Sequence, residues 1–305
     1  MSTAVRARVL RLILTALVLW APGVGAAAQQ PQDQAVPDPF KPFLEPAEPV
    51  RIVGPIHFVG TADLGVYLVT TKAGHILIDG AMPSSAPLIE ASVRKLGFKP
   101  EDIRVLLITQ AHMDHVGTLA QFKKLTGAQV TVMALDDALL KSGGTADYLF
   151  AGQSRLHFEP VSTYRVLKDG DVVELGGVRM TARLTPGHTR GTTSWITSVE
   201  DAGRTYQVVF PGSTSVNPGT RLVRDPSYPG IADDYRRSFG LLESLKPDIF
   251  LGAHVGAFDM SAKRPRASVA GVQAWVDPGG YKLYVAKSKA AFEALVAKEL
   301  RAPRE

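Results

Sequence analysis

The sequence predicts one layered α/β domain, and three observations carry the prediction. Short β-branched and apolar runs of strand length alternate with stretches of helical periodicity through both halves of the 305-residue chain. The alternation lacks the regular rhythm of a parallel barrel, and no fixed short period points to a solenoid. Hydrophobic residues make up 45% of the chain and cysteine is absent, so a sizeable core must hold the fold without disulfides.

The N-terminus stands apart from that domain. Arg6, Arg8 and Arg11 precede the apolar "LILTALVLWAPGVG", and "AAA" at 26–28 supplies small residues for cleavage. This is the layout of a secretory signal peptide, with an apolar part short for a membrane span. Residues 1–28 are therefore expected to be removed on export, an uncleaved anchor being the competing reading. Cleavage after Ala28 takes the net charge from +5 to about +2. The basic balance then says little about nucleic acid, and no basic–aromatic patch supports such a partner. No later apolar stretch reaches spanning length, so stable membrane insertion is not expected after cleavage. Residues 29–50, rich in Pro and Gln, read as an irregular leader, and 51–305 as the domain.

From residue 51 the runs "RIVGPIHFVG", "LGVYLVTT" and "GHILIDG" read as strands parted by Gly-containing turns. "SSAPLIEASVRKLG" reads as a helix, with Ser84 or Ser85 as cap, Ile89, Val93 and Leu96 on one face, and Gly97 as stop. "RVLLIT" is a continuous apolar strand, expected to be buried on both faces. "GTLAQFKKLTG" then spaces Leu119, Phe122 and Leu125 as a helix face. "AQVTVMA" is a strand and "LDDALLKSGG" a short helix. "DVVELGGVRMTARLT" is hairpin-like, and "TTSWITSV" and "TYQVVFPG" follow as strands. A helix near 232–245, the run "PDIFLGAHVG" and a last helical stretch over 266–300 complete the chain.

The chemistry gathers at strand ends. In "ITQAHMDHVG", His112, Asp114 and His115 follow an apolar strand, with Gln110 where the spacing suggests a third histidine. His188 in "TPGHTRG" and His254 in "LGAHVGA" also follow an apolar run and a small-residue turn. Four of seven histidines thus share one structural address, while His57, His75 and His157 read as partly exposed strand or loop residues. Loops at strand ends are where α/β proteins place side chains that must be both fixed and free. Imidazole nitrogen and carboxylate oxygen are zinc ligands, and a catalytic zinc keeps one position open. Four histidines, one aspartate and one amide oxygen, divided three and three, make up to two such sites. A paired site can activate water near neutral pH and accept charge on a leaving group.

"HMDH" at 112–115 with "GHTRGT" and "GAH" resembles the metallo-β-lactamase superfamily, and the longer stretch from about 50 to about 262 resembles its third subclass, B3. The resemblance implies an αβ/βα four-layer sandwich, two mixed sheets with helices on the outer faces. It implies a first zinc on Gln110, His112 and His188, a second on Asp114, His115 and His254, and a buttressing Asp79 in "LIDG". Gln110 places the chain in a branch where glutamine replaces the first histidine. An amide oxygen is a weaker donor than imidazole, so the second site is expected to fill first. Many superfamily thioesterases and lactonases carry a bridging aspartate in a Gly-Asp pair, where this chain reads "PGSTS" with Ser213. The subclass resemblance instead implies that Ser213 and Ser215 hold a substrate carboxylate; read from spacing alone, they are equally well turn serines. Asn217, in the same loop, is a further substrate-binding candidate.

The implied reaction is hydrolysis of a β-lactam by a metal-activated hydroxide that Asp114 orients, a catalytic role for that residue. The implied partner is a small-molecule β-lactam, the protein a periplasmic monomer, and the outcome antibiotic resistance. An exported lactonase or other ester hydrolase, and a zinc-binding protein without turnover, are the alternatives.

Overall fold

The computed structural model describes residues 40–302. The expected signal peptide and residues 29–39 of the leader lie outside the described residues. Among the described residues the strands form two mixed sheets, of seven and of five strands. The first runs β1 (Val50–Val53), β2 (Ile56–Phe58), β3 (Tyr67–Thr71), β4 (Gly74–Ile78), β5 (Ile103–Leu107), β6 (Gln129–Met133) and β7 (Arg165–Leu167) in sequence order. It is antiparallel from β1 to β4 and parallel from β4 to β7. The second has the order β12-β11-β10-β9-β8. Its members are β8 (Val172–Leu175), β9 (Val178–Leu184), β10 (Thr193–Asp201), β11 (Arg204–Phe210) and β12 (Ile249–Phe250), and only β11 and β12 pair in parallel.

Side-chain alternation builds the layers. In β4, Ile76 and Ile78 enter a core shared with Met180, Trp195 and Phe210 of the second sheet. Leu77, between them, points the other way, into a core made with Ile89, Val93, Leu119 and Phe122. Those four belong to α2 (Ala86–Lys95) and α4 (Leu119–Thr126), which cover the outer face of the first sheet. β5 contributes Val105 and Leu107 to one core and Leu106 to the other, so it is buried on both faces as the sequence predicts. Tyr235 and Phe239 of α6 (Ile231–Ser244) and Phe292 of α8 (Pro278–Arg301) close the outer face of the second sheet. The order is therefore helix, sheet, sheet, helix.

Four local expectations change. The last helical stretch is two helices, α7 (Met260–Ala270) and α8, broken at 271–277. Gly271 leaves helical geometry there, and Asp277 caps α8 by accepting from Gly280 N–H, with Pro278 in the first turn. Leu125 is exposed, because two steps of three residues carry it about 120° round the helix from Leu119. His57 and His75 are buried, each packing edge-on against Phe98 at 5.0 and 5.3 Å between ring centroids. The leader is not irregular throughout: residues 41–44 form the one-turn helix α1 (Lys41–Leu44), and Pro46 bridges to Thr61. Among the described residues no helix is long and apolar enough to cross a membrane.

Candidate metal centre

The ends of both sheets converge on one edge, and a short polar framework fixes them there. Thr193 N–H donates to Thr109 O at 2.7 Å and Trp195 Nε1 to Ile108 O at 2.9 Å, tying β10 to the end of β5. Asp79, just past β4, adopts a left-handed φ of 62°, a strained conformation for a residue with a Cβ. Its carboxylate accepts from both Thr109 N–H and Thr109 Oγ1 at 2.7 Å. Buried Asp136, in α5 (Ala134–Lys141), staples two site loops together. It accepts from Ala111 N–H at 3.0 Å, Thr189 Oγ1 at 2.7 Å and Gly191 N–H at 2.8 Å.

On this framework the predicted ligands meet. Asp114 and His115 lie in the one-turn helix α3 (Met113–Val116), with His112 immediately before it. Asp114 Oδ2 stands 3.2 Å from His115 Nε2 and 3.5 Å from His254 Nε2, and one donor atom from each of the three lies within 4.8 Å of the others. His112 Nδ1 and His188 Nε2 face each other at 3.1 Å. Two ligands of one tetrahedral zinc stand roughly 3.3 Å apart, so both sets of separations suit a shared ion.

Each ring's other nitrogen is occupied, which leaves the inward nitrogen as the donor to a metal. His112 Nε2 donates to Asp147 at 3.1 Å, His115 Nδ1 to Asp79 at 3.3 Å and His254 Nδ1 to Asp63 at 2.8 Å. His188 Nδ1 donates to the Ser215 carbonyl at 2.8 Å. His115 Nε2 is buried with no hydrogen-bond partner, although Asp114 is close. An orphaned inward nitrogen and two inward nitrogens aimed at each other are what a site shaped for cations presents. The donor set fits zinc.

The two halves differ in charge. Burial works against ionising Asp114, yet His115 and His254 beside it hold its carboxyl well below the usual range. Burial likewise opposes protonation of His115, but Asp114 outweighs it and raises the imidazole to about 10. On the other side burial, with His112 adjoining, lowers His188 to about 3. By donor type, one half contains a carboxylate and the other only imidazole and amide groups. Gln110 widens the contrast. Its Oε1 already accepts from Ser213 N–H at 2.9 Å, and its Nε2 is buried without a partner.

A cleft of about 440 Å³ opens onto the ligands, with Phe43, Phe150, Leu156 and Phe158 as apolar walls and Ser215 and Asn217 on its rim. Ser213 faces an adjoining cavity of about 370 Å³ bordered by Tyr284 and Phe292 of α8. Of the two serines, only Ser215 therefore lines the main cleft. The sequence reading did not include Asp63, Asp136 or Asp147. His57, His75 and His157 do not join the site.

Two stacked mixed sheets carrying a His/Asp cluster along one shared edge define a hydrolase of the metal-dependent kind. The chain belongs to the metallo-β-lactamase superfamily, whose family model matches residues 66–254. Native FEZ-1 metallo-β-lactamase from Legionella gormanii is 43% identical with a TM-score of 0.83, over 85% of this chain and 98% of that one. BJP-1, a subclass B3 metallo-β-lactamase of Bradyrhizobium japonicum, is 38% identical with a TM-score of 0.81, over 86% and 98%. A hydroxyacylglutathione hydrolase of Rhodopseudomonas palustris (strain BisB5) is 34% identical over 147 residues, 48% of this chain and 46% of that protein. The chain thus spans about half the length of the curated relatives it matches.

Proposed function

We propose that this protein hydrolyses the amide bond of β-lactams with zinc held by the two halves of the cluster. The observation that carries the reading is the loop after β11. That loop has no carboxylate from Pro211 to Asn217, its Ser215 lines the cleft and its Ser213 N–H donates to Gln110, in a chain similar along nearly its whole described length to subclass B3 β-lactamases.

In this reading Gln110, His112 and His188 hold one zinc and Asp114, His115 and His254 the other. Bound zinc supplies Lewis acidity and a water that ionises near neutral pH. Hydrolysis forms a bond from water oxygen to the carbonyl carbon, breaks the carbon–nitrogen bond and delivers a proton to nitrogen. Asp114, an ionised carboxylate lining the cleft, orients that water in this reading. In the same reading Ser215 receives the substrate carboxylate, Asn217 donates to the carbonyl oxygen, and the apolar walls exclude bulk water. Export to the periplasm, which rests on the signal-peptide layout of residues 1–28, a monomeric state and antibiotic resistance are part of the same proposal.

An ester or thioester hydrolase on the same fold is the second reading. The match to proteins named hydroxyacylglutathione hydrolase, along slightly less than half of the chain, favours it. A panel decides between them: zinc-loaded protein is offered penicillin, cephalosporin and carbapenem beside a lactone and a thioester. The proposal predicts ring opening of at least one β-lactam at a kcat/KM well above that for either ester. Ester or thioester turnover with intact β-lactams would replace it with the second reading.

A further inference from the structure

The loop joining α5 to β7 contains a buried carboxylate that the ligand set does not use. Asp147 has a side chain only 2% exposed, and its carboxylate reaches one half of the site. Its Oδ2 accepts from His112 Nε2 at 3.1 Å. Its Oδ1 accepts from the backbone N–H groups of Leu149 at 2.6 Å and Phe150 at 2.7 Å. Those bonds turn the Phe150 ring onto His112, 5.2 Å between centroids in an edge-on arrangement, where it also walls the cleft. The residue between, Tyr148, directs its hydroxyl at the carbonyls of His188 at 3.0 Å and Gly187 at 3.2 Å. One four-residue stretch therefore holds both histidines of the half that contains Gln110.

We propose that Asp147 is a positioning residue for the Gln110, His112 and His188 half. It fixes the metal-facing nitrogen of His112, supplies the negative charge that this half lacks among its ligands, and couples metal occupancy to the Phe150 wall. The inference rests on the two-zinc reading above. Its physical basis is that a carboxylate behind an imidazole fixes the tautomer and raises ligand basicity, commonly changing metal affinity by roughly 10–100-fold. A half built on an amide, with its oxygen already accepting from Ser213 N–H, has the greater need of such support. Asp63 stands in the same relation to His254 in the other half and provides the internal control.

The test is a zinc titration against a chromophoric chelator, with full-length mature protein, Asp147→Asn and Asp63→Asn. The unsubstituted protein should bind two equivalents, one more weakly. In Asp147→Asn the weaker equivalent should lose about 10–100-fold in affinity while the tighter one holds, and Asp63→Asn should do the reverse. Hydrogen exchange in the unsubstituted protein gives an answer even if Asp147→Asn does not fold. The Leu149 and Phe150 amides should slow as the second equivalent binds. A weaker equivalent unchanged in Asp147→Asn, or amides indifferent to the second zinc, would overturn the inference alone. Binding of a single equivalent by the unsubstituted protein would overturn the two-zinc reading, and this inference with it.

Discussion

Every imidazole in the site must dispose of two nitrogens, and the residue beyond the outer one sets what the inner one can do. His112, His115 and His254 each hand the outer nitrogen to a carboxylate, and His188 hands its own to a carbonyl. Gln110 has no such arrangement, because its oxygen accepts from Ser213 N–H and its amide nitrogen finds no partner. Replacing it should therefore improve the site as a metal trap. Gln110→His is expected to tighten the weaker zinc equivalent by on the order of tenfold, read by chelator competition, because imidazole is the better donor. The inner ligands were legible in the sequence because they recur in one local pattern, an apolar run followed by a small-residue turn. Asp79 came with the family resemblance. Asp63, Asp136 and Asp147 were not legible, because each reaches its partner from a sequence-distant segment with no pattern of its own.

At the scale of elements, the strands were legible through their alternation, and β5 through its unbroken apolar run. The break between α7 and α8 was missed, although Gly271 and the Asp277-Pro278 pair mark it. Asp277 matters to the cleft because α8 presents Tyr284 and Phe292 to the cavity beside Ser213. It caps the helix and pairs with buried Lys263 at 2.9 Å. Burial pushes the Asp277 carboxyl up, but the Lys263 ammonium and the Gly280 N–H outweigh it and hold the carboxyl below its usual range. A carboxyl depressed in the folded state stabilises the fold above its unfolded pKa of about 4, and that share is lost as pH falls through the lower folded value. Thermal unfolding should therefore show an acid limb below about pH 4 that is shallower in Asp277→Ala. The same variant should lose about 1–2 kcal/mol near neutral pH from the missing cap.

The whole molecule works by bringing loops from two separately built sheets to one edge, and the join is polar. Asp136, from the first sheet's helix layer, binds the backbone of both the His112 loop and the His188 loop, and Gly191 makes room for it. A Cβ at Gly191 would lie 2.4 Å from Asp136 N. Gly191→Ala should therefore force the two loops apart, costing about 1–3 kcal/mol in a denaturant titration. It should also weaken the zinc equivalent held by His112 and His188 more than the other. This join was the least legible feature, because no single stretch of sequence contains both its sides. The layered α/β class was visible in the alternation of elements, while the two-sheet arrangement came with the family resemblance.

If the converged His/Asp edge is a zinc-dependent β-lactam hydrolase site with one strong half and one weak, turnover must follow zinc. The most direct measurement strips the purified mature protein of metal and follows opening of a chromogenic cephalosporin as zinc is returned in measured equivalents. No turnover is expected without metal, then activity that rises in two phases, each in step with an equivalent of unequal affinity. Full binding of two zinc ions with the β-lactam ring left intact would contradict that expectation.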